Sequence, residues 1–104
     1  METKKIVQLE KKTQQIQLVK GEFTPSEASI VIINLINEKI NFHKLQRLQS
    51  WESNHNSNTE HIDSRIKELE REKEIAIDFI NKTDNNRLNI KVNGILELTA
   101  INNN

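Results

Sequence analysis

At 104 residues the chain has room for one domain with one modest core. Hydrophobic residues make up 35% and aromatic ones 4%, against 29% charged, which describes a thin aliphatic core that a partner would complete. Fifteen basic and fifteen acidic residues cancel, removing the long-range field on which nucleic-acid and anionic-membrane binding rely, and the lack of cysteine excludes a disulfide frame, a thiol nucleophile and Cys-ligated zinc.

The N-terminal METKKIVQLEKK is charged throughout and has no apolar signal-peptide core. The longest purely apolar run, Ile30–Ile33, is far short of a membrane span. A cytoplasmic protein without membrane contact is therefore expected. Residues 4–10, KIVQLEK, could add a strand. The strand region proper is expected over 13–23, where Ile16 and Leu18 alternate with polar residues.

A helix is expected over 24–53. Thr24 can cap it, Pro25 suits its first position and Glu27 completes a capping box, while Phe23 and Ala28 stand where a hydrophobic staple needs them. No Gly or Pro interrupts the segment that follows. A heptad-spaced series runs through Ala28, Val31, Leu35, Glu38, Phe42, Leu45, Gln49 and Glu52, and is read as the seam for a partner helix. Ile32, Ile33, Ile36 and Ile40 form a second stripe.

The stretch SNHNSNTEHID, residues 53–63, reads as a turn over 54–57 followed by a second capping box, Ser57 to Glu60. The second helix is expected over 58–84. Its seam is Ile62, Ile66, Leu69, Lys73, Ala76, Ile80 and Thr83. Folding the hairpin about His55–Asn56 pairs Val31 with Ile80, Leu35 with Ala76, Phe42 with Leu69 and Leu45 with Ile66. The same register sets Glu38 against Lys73 as a register-setting ion pair.

The remaining apolar residues, among them Ile75, Ile77 and Phe79, gather away from the turn, at the base of the hairpin, where the flanking strands would cover them. The last strand region is expected over 87–101, with Leu88, Ile90, Val92, Leu96, Leu98 and Ala100 on one parity. A two-residue hairpin at Asn93-Gly94 would put apolar residues of one arm opposite polar residues of the other, so one long strand is preferred. The fold expected is α+β in β-α-α-β order: a long antiparallel helical hairpin flanked by N- and C-terminal strands that form a small antiparallel sheet.

Chemistry is sparse. His55, Glu60, His61 and Asp63 are the only residues with the composition of a metal site, but His61 and Asp63 are two apart on a helix and diverge. His43 is about 18 Å from His55 along the helix. Neither G-x-S-x-G nor a glycine-rich phosphate loop occurs, and Gly21 and Gly94 stand singly. No catalytic residue, cofactor or metal is expected. Leu48 and Trp51, beside the polar tip, are the residues expected to fold over the turn or contact a partner.

The function expected is a non-enzymatic protein-interaction or scaffold module acting as a homodimer. One alternative is nucleic-acid binding through Lys4, Lys5, Lys11, Lys12, Lys20, Lys44 and Arg47. Another is a small metal-dependent enzyme built on the His/Glu/Asp tip.

Overall fold

A computed structural model describes residues 12–56 and 58–102. In chain order it contains β1 (Thr13–Phe23), α1 (Pro25–Ser53), α2 (Glu60–Asn85) and β2 (Ile90–Thr99). The strands form a two-stranded antiparallel sheet, and the architecture is the expected α+β hairpin with flanking strands. Residues 4–10, which could add a strand or fray, lie outside the described residues. The chain divides into two compact units, residues 22–90 and a second one to which 12–21 and 91–102 belong.

In the helical unit, α1 begins as its sequence dictates. The Thr24 Oγ1 accepts from the Glu27 backbone N–H at 3.1 Å, and the Thr24 N–H donates to Glu27 Oε1 at 3.0 Å. Two N–H groups that the first turn leaves unpaired are thus satisfied, with Pro25 at the position where a missing N–H costs nothing. Ala28 is fully buried and Phe23 half-buried.

The start of α2 departs from expectation. The helix begins at Glu60, two residues later than the expected boundary, with Thr59 as N-cap making no side-chain cap bond. Asn58 instead accepts from the Glu60 N–H at 2.9 Å, an Asx-type bond that competes with continued helix. Ser57, the head of the expected capping box, lies outside the described residues. At its other end α2 closes in a Schellman motif: the Leu88 N–H bonds the Thr83 carbonyl at 3.1 Å and the Arg87 N–H bonds the Asp84 carbonyl at 3.0 Å. The motif needs a left-handed residue, and Arg87 takes it with φ of 58°.

The core of the hairpin is Ile40, Ile62, Ile66 and Leu69, with Ile36 packed against it. All seven expected seam positions of α2 are buried or half-buried. The α1 side is a correction. Leu35, Phe42 and Leu45, expected inside, are 44%, 55% and 54% exposed, whereas Ile36 and Ile40 line the core. Ala28 and Val31, at the head of the expected seam, are buried and half-buried, but beyond them the covered positions of α1 lie two residues before the expected ones: Ile33 for Leu35, Ile36 for Glu38, Ile40 for Phe42, His43 for Leu45, Ser50 for Glu52. A two-residue shift turns a helix by about 200°, so from Leu35 onward the expected seam faces away from α2. Ile30, Ile75 and Phe79 also stay exposed. Asn89 Nδ2 donates to Glu22 Oε2 at 3.2 Å where the two ends of this unit meet.

In the strand unit, Ala100 donates its N–H to the Lys12 carbonyl at 2.7 Å. β2 runs unbroken through Asn93-Gly94, so the long-strand reading holds and the tight hairpin does not. A Cβ at Gly94 would meet Val19 Cβ at 3.7 Å, ordinary contact, so this glycine marks a close strand pair rather than a required conformation. Gly21, at φ of 155°, occupies backbone space that L side chains rarely enter. Burial alternates at Val19, Gly21 and Phe23 of β1 and at Ile90, Val92 and Gly94 of β2, whereas Ile16, Leu18, Ile95, Leu96, Leu98 and Ile101 are exposed, so the expected alternation gives a covered face over only part of each strand.

Candidate interaction surfaces

Two surfaces of the helical unit carry the residues of interest, and both are built on α1. The first is the outward stripe: Val31, Leu35, Glu38, Phe42, Leu45 and Gln49, at heptad spacing on the side opposite the core. Val31 is half-buried and the others are exposed. Lys39 Nζ lies 5.0 Å from the centroid of the Phe42 ring, a cation held against the stripe's largest side chain. The ring of His43 meets Phe42 edge-on, with centroids 5.4 Å apart.

Glu38 sits in the middle of this stripe and is exposed, while Lys73 is half-buried on α2. No ion pair joins them among the described residues. The cross-hairpin ion pair that does form is Arg47 with Asp63, at 2.8 Å. Asp63 also accepts from the Thr59 hydroxyl at 3.2 Å. The hydrogen bond from Arg47 is the main reason that the Asp63 carboxyl is held below the ordinary aspartate range; partial desolvation opposes it, and Thr59 adds to the lowering.

The second surface is the tip. Lys44, Arg47, Leu48, Trp51 and Thr59 line an open concavity of about 560 Å³. Trp51 stacks on His55 with ring centroids 4.5 Å apart and planes 15° from parallel, yet stays 50% exposed. The indole thus folds onto the turn while half of it stays open to solvent. Lys44 has no acidic partner among the described residues, whereas Arg47 is committed to Asp63.

The tip residues considered as metal ligands are placed apart in role. His55 is stacked, Asp63 is bound by Arg47 and Thr59, and Glu60 and His61 are exposed. Among the described residues no group of three or more His, Cys, Asp or Glu side chains is gathered for a metal ion. His43 lies on the core side of α1; its Nδ1 is 3.0 Å from Gln46 Oε1, and its Nε2 is buried with no hydrogen-bond partner. Of the lysines considered for nucleic acid, Lys20 is exposed on β1, Lys12 is exposed just before it, and Lys4, Lys5 and Lys11 lie outside the described residues. Among the described residues no helix is long and apolar enough to cross a membrane.

Sequence reasoning missed the Arg47–Asp63 pair, the Trp51–His55 stack and the outward direction of Phe42. The first two left a signal. Trp51 and His55 are four apart, hence neighbours on a helical path, and a hairpin turning between them brings Arg47 near Asp63. Comparison of the chain with protein-family models, curated proteins and solved structures finds no match.

Proposed function

We propose that this protein is a non-enzymatic interaction module that works as a homodimer and presents its hairpin tip to a protein partner. The observation that carries the reading is the outward stripe of α1. A soluble single chain has little reason to keep Leu35, Phe42 and Leu45 about half exposed in one heptad-spaced line, and a contiguous apolar patch of this kind marks a binding surface. The tip supplies a separate surface, where Leu48 and Trp51 provide an apolar wall beside the Lys44 ammonium.

Light scattering coupled to gel filtration tests the first half of the reading. The full chain at micromolar concentration should run at twice its 12.1 kDa mass. A monomer at that concentration would remove the homodimer. Trp51→Ala should leave the dimer mass unchanged, because the tip lies outside the stripe; loss of the dimer would show that the two surfaces are one.

A further inference from the structure

We infer that the outward stripe of α1 is the surface on which a second copy of this chain docks, antiparallel, with Leu35 of each copy against Leu45 of the other and Glu38 of each against the Lys39–Phe42 pair of the other. This rests on the homodimer reading above and names the face, the direction and the register.

The direction follows from charge. Val31, Leu35, Glu38, Phe42, Leu45 and Gln49 alternate spacings of four and three, the pattern by which two helices interlock side chains. In a parallel pair each residue meets its own copy, so Glu38 would face Glu38 in the middle of the seam. Two carboxylates brought together there repel. In the antiparallel pair centred between Leu35 and Leu45, Glu38 instead falls opposite Phe42 of the second copy. Over that ring stands the Lys39 ammonium, 5.0 Å from the centroid. The same contact repeats by the two-fold axis, so the interface is self-complementary, with two Glu38–Lys39 ion pairs beside the axis and a Leu35–Leu45 pair on either side of them.

Length supports it as well. From Val31 to Gln49 the stripe runs about 27 Å, five helical turns, and α1 extends beyond both ends of it. Polar Gln49 would then lie against Val31 at each rim, leaving Leu35, Glu38, Phe42 and Leu45 between the rims.

The ion pair can be tested without ambiguity because Glu38 and Lys39 are adjacent in the chain. Side chains at consecutive helix positions diverge by about 100° and do not pair with each other. Any charge-swap rescue between them must therefore come from another copy. Glu38→Lys and Lys39→Glu should each weaken dimerisation tenfold or more in sedimentation equilibrium, and the double exchange should recover most of the loss. Circular dichroism of each variant confirms that the helices persist.

Cysteine cross-linking gives the register, since the natural chain has no cysteine. Leu35→Cys mixed with Leu45→Cys should oxidise to a dimer faster than either variant alone. Preferential Leu35→Cys self-linkage would show a parallel seam and overturn the inference. A wild-type dimer that resists both charge exchanges, and fails to cross-link at these positions, would place the interface elsewhere and overturn the inference while leaving the homodimer reading intact. A wild-type monomer would overturn both.

Discussion

The two helices of the hairpin are of similar length, 29 and 26 residues, yet they spend their apolar residues differently. α2 confines them: Ile62, Ile66, Leu69, Ala76 and Ile80 form one line, with the run around them mostly charged, and the exposed Ile75 and Phe79 depart from it only near the base. α1 spreads them over two lines on opposite sides, both at heptad spacing. A helix with one apolar line has one way to bury it, whereas a helix with two leaves the choice to its neighbour.

What decides the choice is the cost of desolvation. The line through Leu35, Phe42 and Leu45 carries Glu38 in its middle, and facing it inward would strip water from a carboxylate. The line through Ile36 and Ile40 has no carboxylate between Ser29 and Ser50. Turning α1 by two residues therefore keeps Glu38 in solvent and lets Arg47 reach Asp63 at the rim. Lys73 is half-buried on α2, a position a lysine tolerates because its long aliphatic stem can cover apolar surface without burying the charge.

The comparison breaks first at the core. Ile40→Ala and Ile66→Ala should each cost about 2–5 kcal/mol, the range for deleting most of a buried aliphatic side chain. Leu45→Ala, measured at a dilution that leaves the chain monomeric, should stay within about 0.5 kcal/mol, as for other exposed positions. Urea denaturation followed at 222 nm distinguishes them. If Leu45→Ala matched Ile40→Ala in dilute monomer, the assignment of inner and outer faces on α1 would be wrong.

The N-terminal caps sharpen it next. Thr24 closes a complete capping box and Thr59 closes none. Thr24→Ala is expected to cost about 1 kcal/mol, and Thr59→Ala, which loses only the bond to Asp63, less than half of that. Equal losses in thermal melts would contradict the difference in cap geometry.

His43 tests the inner face from the opposite direction. Its Nε2 is buried with no hydrogen-bond partner, on the core side between Ile40 and Arg47. Replacing it with Leu removes an unsatisfied polar atom from an apolar seam and should raise stability by about 1 kcal/mol. A destabilised His43→Leu variant would mean that the ring is wetter than its placement implies. At the C-terminus of α2, Arg87→Gly should add about 0.5–1 kcal/mol, since the left-handed backbone penalises a side chain there by more than glycine's extra unfolded freedom costs. No gain in the urea midpoint would refute that.

The smallest effect belongs to the rim. Asp63 titrates below its ordinary range in the folded chain, so the stabilisation it provides is complete above the unfolded carboxylate pKa and lost as pH falls through the lower folded value. Both partners of the pair are exposed, 44% for Arg47 and 41% for Asp63, so the contribution is screened and weakens with salt. Asp63→Asn should flatten the acid limb of the stability profile below the ordinary aspartate pKa of about 4. An unchanged acid limb would show that Arg47 contributes nothing there.

The sequence by itself determined the element order, the start of α1, the long β2 and the whole seam of α2. Each of these rests on a local signal: Thr24, Pro25 and Glu27 specify a cap within four residues, and a single apolar line specifies its own inner face. Only the tertiary structure decided which face of α1 turns inward, and with it the placement of Leu35, Phe42 and Leu45, the pairing of Arg47 with Asp63 and the fate of Glu38. Periodicity cannot rank two stripes of equal spacing. Their order is set by which side chains lose water when α2 arrives, and that is a property of the packed pair rather than of either segment.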